Sequence, residues 1–174
     1  MDLAEFRYAP YGKALKRHSN QKNKQKKLTK TKKMISYKLE SEVTAMIKSY
    51  IVETEGNVQI AKYFKVKEFA CKDGSPVVFI DDYLCTILDI LRNELGKPII
   101  ITSGYRTPEW NTKCGGAKYS YHMRGMAADI RVNGMSAKEI ANKLNAIVPN
   151  ECGIIVYKSW VHIDVRTSKY RKGV

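Results

Sequence analysis

The chain has 174 residues, 44% of them hydrophobic, and a formal net charge of +14. That length holds one ordinary domain core, the composition is that of a soluble globular protein, and no apolar run approaches the roughly 18 residues of a membrane span. Four cysteines, Cys71, Cys85, Cys114 and Cys152, are scattered without C-x-x-C pairing, which argues for reduced thiols and against a disulfide framework or a cysteine-rich zinc site.

The charge is uneven. Residues 1–45 carry 12 Lys/Arg against 4 Asp/Glu, and Tyr11 to Lys33 holds ten basic residues and no acidic one. Such a block has too little apolar material to bury and is predicted to be a disordered or extended leader. Two readings follow: an electrostatic arm for anionic polymers such as nucleic acid or teichoic acid, or a solvated leader without a partner. The start, Met1-Asp-Leu-Ala-Glu-Phe-Arg, lacks an apolar h-region after a basic residue, so synthesis in the cytoplasm without a signal peptide is expected. The folded domain is expected to occupy residues 46–174.

Within it, Met46 to Glu55 and Val58 to Val66 read as strands around a Glu55-Gly56-Asn57 turn. Asp81 or Asp82 caps a predicted helix through Leu95, with Leu84, Ile87, Leu88, Leu91 and Leu95 as its apolar stripe and Gly96 as its stop. Lys97 to Thr102 reads as a buried strand. Thr107-Pro108 opens a short turn or helix before a Gly115-Gly116 loop. Ser136-Ala-Lys-Glu139 is a capping box for a helix ending near Val148. Gly153 to Tyr157 and Trp160 to Val165 form a closing hairpin. This order predicts an α+β fold, a mainly antiparallel sheet with flanking helices.

Chemistry concentrates in two stretches. Ser120-Tyr-His122-Met-Arg-Gly125-Met-Ala-Ala-Asp129 and Trp160-Val-His162-Ile-Asp164-Val-Arg166 supply two imidazoles and carboxylates. The remaining histidine, His18, lies in the leader. Strand periodicity puts Ala128, Ile130 and Val132 on one face and Asp129 on the other. It likewise separates Val161, Ile163 and Val165 from His162, Asp164 and Arg166. His122, Asp129 and His162 are thus candidate ligands of one Zn²⁺. Three protein ligands leave a fourth position open, as in catalytic zinc sites.

The pattern Ser-x-His-x-x-Gly-x-Ala-x-Asp, followed by Val161-His-Ile-Asp-Val165, resembles the zinc D-alanyl-D-alanine carboxypeptidase family, cell-wall peptidases of bacteria and phages. Phe64 to Ser75, Gly96 to Asn111 and Gly115-Gly-Ala are similar to that group as well. The resemblance implies a hedgehog/D,D-peptidase type of fold, a Zn²⁺ cofactor, and peptidoglycan stem peptides as substrates, with action at the cell wall after release or in a virion. It also assigns Arg106 to the pocket, where a guanidinium would hold a substrate carboxylate or a developing oxyanion; tying loop carbonyls together is the structural alternative. Ser120 either contacts substrate or orients the His122 loop.

One position departs from the family. Its members often carry Glu or Asp three residues before the last histidine ligand, and here that residue is Ser159. Asp164 is the substitute candidate for the general base; orienting a ligand or pairing with an arginine is the alternative. Two function classes follow: a zinc D,D-carboxypeptidase or endopeptidase, or a non-catalytic zinc-bearing module of a phage or bacterial assembly. Removal of residues 1–45 is expected to preserve cooperative unfolding and zinc binding and to flatten the salt dependence of binding to anionic polymers, because fewer counterions are released. Non-cooperative unfolding of the shortened chain, followed by circular dichroism, would instead place the leader in the core.

Overall fold

Residues 47–174 are described by the computed structural model, and the basic leader at 1–45 lies outside the described residues. β1 (Ile47–Ile51) pairs antiparallel with β2 (Val77–Asp81), Ile47 opposite Asp81 and Ile51 opposite Val77. The expected hairpin partner, Val58 to Val66, is not a strand. Its one ladder contact is a single bridge between Gln59 and Lys65. The backbone turns helical at α1 (Val52–Glu55), where Gly56 N–H donates to Val52 O. Farther on, Asp89 accepts from the amides of Lys62 and Tyr63 at 2.8 and 3.2 Å. This holds a loop that drives Phe64 fully into the core, edge-on to Phe69. Burying one large aromatic outweighs extending a short polar strand.

Asp81 ends β2 and caps α2 (Asp82–Leu95), accepting from the amides of Tyr83 and Leu84. Leu84, Ile87, Leu88 and Leu91 are buried as the apolar stripe predicts, each contributing about 1.5–3 kcal/mol by burial. Gly96 stops the helix in the left-handed conformation, φ 60°. β3 (Ile99–Ser103) then pairs with β4 (Ala127–Val132). β3 is an edge strand rather than a doubly buried one, and Ile100 is exposed. Between them lie α3 (Pro108–Lys113), capped by the Thr107 hydroxyl, and a 3₁₀ turn at Tyr121–Arg124. α4 (Ala137–Ile147) begins with the Ser136/Glu139 capping box.

β5 (Gly153–Val156) and β6 (Val161–Asp164) form the closing hairpin. β7 (Tyr170–Lys172) adds parallel to β5, giving the five-stranded order β3-β4-β6-β5-β7. The fold is α+β and its main sheet is antiparallel except at that edge. No helix of the described residues is long and apolar enough to cross a membrane.

The topology puts β4 and β6 side by side at the centre of the sheet, with Asp129 directly opposite His162. Cross-strand partners share a face, so two of the three candidate ligands meet by register alone. The third, His122, arrives on the 3₁₀ turn before β4, which rests against the loop after β3, and the close approach of that loop to the Phe69 segment depends on Gly104. A Cβ there would lie 2.6 Å from both Phe69 Cα and Phe69 O. Gly104→Ala is therefore expected to destabilise the domain by about 1–3 kcal/mol through overpacking. Urea denaturation checks this; an unchanged midpoint would show that the Phe69 segment yields freely.

Candidate metal centre

β4 presents Asp129, β6 presents His162, and the 3₁₀ turn presents His122. Gly125, at φ 71°, closes that turn and starts the chain back into β4. The turn is held against the loop after β3 by a reciprocal pair of bonds. Arg106 N–H donates to His122 O at 3.2 Å, and His122 Nδ1 lies 2.6 Å from Gly104 O. A carbonyl can only accept, so Nδ1 carries the proton and His122 Nε2 presents its lone pair.

His162 is set by a different partner to the same effect. Its Nε2 lies 3.1 Å from Asp164 Oδ2. With the proton on Nε2, the Nδ1 lone pair is turned inward. Asp129 Oδ1 then stands 2.9 Å from His162 Nδ1 and 3.3 Å from His122 Nε2, and the two ring nitrogens are 3.1 Å apart. With both rings neutral, three acceptors face one another with no hydrogen left to share. A second proton on His162 or a cation at the centre satisfies such a set.

A divalent ion fits there. Bonds of about 2.0–2.2 Å in tetrahedral geometry separate donor atoms by roughly 3.3–3.6 Å, and the observed separations of 2.9, 3.1 and 3.3 Å lie at or a little below that range. Two imidazoles and a carboxylate are borderline-soft donors suited to Zn²⁺. Among the described residues this is the one group of three or more His, Cys, Asp or Glu side chains placed to hold a metal. All three residues are buried. The cysteines do not compete: Cys71, Cys85 and Cys152 are buried free thiols, and burial pushes Cys85 and Cys152 up to about 12.

The electrostatics favour one extra proton, on His162, when the site has no metal. Burial raises the Asp129 carboxyl, but hydrogen bonds and charge from His122 and His162 overcome this and hold it well below the usual carboxylate range. Burial lowers His122 against the pull of Asp129 and wins. Burial also works against charged His162, yet hydrogen bonds to Asp129 and Asp164 prevail and raise it. His162 is thus the histidine that holds a proton longest.

Arg106 stands beside the cluster. Its Nη2 donates to Asp129 Oδ2 at 2.5 Å and its Nε to Ser103 Oγ at 2.8 Å. The guanidinium occupies the second oxygen of Asp129 and so favours one-oxygen ligation by that carboxylate. Ser120 begins the 3₁₀ turn, and its side chain makes no capping bond there. Ser159 is exposed in the loop between β5 and β6.

Asp164 sits on the far edge of the His162 ring from the donor cluster. It is fully buried, and both its oxygens accept from Arg166 at 2.7 Å. Burial raises its carboxyl, but bonds from His162 and Arg166 bring it down to about 2. A carboxylate so placed faces neither the donor cluster nor solvent, and its two oxygens are shared between His162 and Arg166. The sequence missed the Gly104 carbonyl on His122, which no side-chain pattern can reveal. The arginine pairing held open for Asp164 is made with Arg166, two residues along the same strand face.

A mainly antiparallel α+β domain with a buried His–Asp–His set has the donor arrangement of a single-metal hydrolase. Residues 62–164, which include all three donors, match the family model Peptidase M15, and the chain belongs to that family. Over 98 residues it is 31% identical to the peptidoglycan L,D-endopeptidase MepK of Escherichia coli, across 52% of this chain and 54% of that protein. MepK of Shigella flexneri matches equally. The chain thus spans about half the length of the curated relatives it matches. No solved structure matches it significantly.

Metal binding requires both histidines neutral. Zinc affinity is therefore expected to fall as pH drops through the raised pKa of His162, with proton release on binding at mildly acidic pH. Calorimetry in buffers of different ionisation enthalpy measures that release, and a pH-independent affinity between about pH 5.5 and 7.5, the span around an ordinary histidine, would contradict it. His122→Ala and His162→Ala should each abolish stoichiometric zinc.

Proposed function

We propose that this chain is a zinc-dependent peptidase that hydrolyses peptidoglycan stem peptides at bonds involving a D-amino acid. The convergence of His122 Nε2, His162 Nδ1 and Asp129 Oδ1 on one point is the observation that carries this reading. Membership of the Peptidase M15 family and the likeness to an enzyme named as a peptidoglycan L,D-endopeptidase support it. That name favours an endopeptidase cut over removal of a terminal D-alanine.

His122, Asp129 and His162 would hold the ion. Bound there, Zn²⁺ supplies Lewis acidity, which polarises a carbonyl and lowers the pKa of water toward neutrality. Arg106 pins Asp129 Oδ2 and keeps further N–H groups for a substrate oxygen, where charge develops in the transition state. Asp164 holds the His162 proton on Nε2 and keeps the opposite nitrogen available. Gly104 O does the same for His122. Ser120, at the head of the turn that carries His122, contacts substrate or orients that turn in this reading.

A second reading rests on Ser159. It is an exposed loop residue, and among the described residues the one further carboxylate bonded to a donor residue, Asp164, is locked in its pair with Arg166. A zinc-bearing module without catalysis, part of a phage or bacterial assembly, is compatible with that. The leader is proposed to contact anionic polymers at the wall in either case.

Incubating zinc-loaded protein with purified peptidoglycan fragments, then mass spectrometry, decides between the two. Hydrolysis is expected, and no cleavage of any stem peptide between roughly pH 6 and 9, around a zinc-water pKa near 7, would favour the non-catalytic module. At saturating zinc, Arg106→Ala should lower turnover by about 10²–10³. Asp164→Asn should remain measurably active, because an amide oxygen still accepts from His162 Nε2; complete loss with zinc retained would restore Asp164 as the base.

A further inference from the structure

The strand that carries His162 runs on to Arg166, whose surroundings exceed what a surface arginine needs. Arg166 Nε donates to Asp164 Oδ1 and its Nη2 to Asp164 Oδ2, both at 2.7 Å, a two-pronged pair that fixes the carboxylate plane. The Asp164 side chain is fully buried, and that of Arg166 is only 22% exposed. The guanidinium carbon lies 4.7 Å from the ring centroids of both Tyr121 and Tyr170, within cation–π range. Tyr121 opens the 3₁₀ turn of His122, and Tyr170 opens β7.

β5 makes room for the same pair. Gly153 lies opposite Asp164 in the sheet, and a Cβ there would come 2.2 Å from Asp164 Oδ2 and 2.8 Å from Arg166 Nε. The ion pair therefore occupies the space where the neighbouring strand omits a side chain. Three separate elements, β5, β7 and the His122 turn, are shaped around one guanidinium.

We propose that Arg166 is a positioning residue of the metal centre: by gripping both oxygens of Asp164 it fixes Oδ2 on His162 Nε2 and keeps Nδ1 aimed at the donor cluster. Its contacts with Tyr121 and Tyr170 tie the His122 turn and the C-terminal strand to that same pair. The inference rests on the reading that His122, Asp129 and His162 hold a metal. A carboxylate on its own can rotate about its last bond and offer either oxygen at varied angles. The planar fork of arginine removes that freedom, and the point charge of lysine does not.

The test compares the full chain with Arg166→Gln and Arg166→Lys, each metal-free and zinc-loaded. Zinc affinity is read by competition with a chromophoric chelator, the His162 tautomer by ring ¹⁵N shifts, and fold integrity by metal-free thermal unfolding. Arg166→Gln should weaken zinc binding by about 10–100-fold, the usual effect of removing an outer partner of a ligand, and His162 should no longer hold a single Nε2–H tautomer. Arg166→Lys should lose less affinity while unfolding close to wild type, a combination that a purely structural role would not give. A folded variant with affinity within about twofold of wild type, well short of that effect, and an unchanged tautomer would overturn the proposal. Should Arg166→Gln fail to fold with Asp164 left unpaired, Arg166→Lys decides by the same readings. Wild-type protein without stoichiometric zinc would reject the metal reading and this proposal with it, whereas tight wild-type binding indifferent to Arg166 rejects the proposal alone.

Discussion

Three acceptor atoms stand face to face in the middle of this domain: His122 Nε2, His162 Nδ1 and Asp129 Oδ1, no two more than 3.3 Å apart. Each ring has its proton committed elsewhere, to Gly104 O and to Asp164. Like partial charges at this distance repel, and burial keeps water from screening them. With both rings neutral and no cation between them, the fold alone holds them together, and much of its architecture is the means. Asp129 and His162 are cross-strand partners in the centre of the sheet, where neither strand can slip without turning its side chains to the other face. His122 is pressed in from outside by the loop after β3.

The charges around the cluster balance in pairs. Asp129 faces Arg106, and Asp164 faces Arg166. Without an ion the four cancel; a divalent cation would leave the centre with two positive charges in a region of low dielectric. Such a site draws anionic or strongly polar groups toward it, as the carboxylate-bearing or carbonyl-bearing substrate of a peptidase requires. The two arginines also differ in task. Arg106 bonds the donor carboxylate Asp129 itself, whereas Arg166 reaches His162 only through Asp164.

Much of this was legible in the sequence, for identifiable reasons. α2 and α4 announce themselves because their caps are local: Asp81 and Ser136 bond amides within three residues. The alternation around Asp129 and His162 was legible because strand periodicity needs no distant partner. The pairing of β1 with β2 was not, since the partner strand lies beyond the whole Phe64 loop, and Val77 to Ile80 offered only a short apolar run. β7 is three residues long and charged, an edge strand without pattern. The role of Asp164 stayed open because sequence gives its face but not its partner; the structure turns it to Arg166.

X-ray absorption at the zinc edge of the loaded, tag-free protein tests the centre most directly, because it reads the donor atoms themselves. The expected first shell holds only nitrogen and oxygen at about 2.0–2.2 Å, with the outer-shell scattering of two imidazole rings. A sulfur shell at about 2.3 Å, or scattering from fewer than two imidazoles, would contradict a centre built by His122, Asp129 and His162.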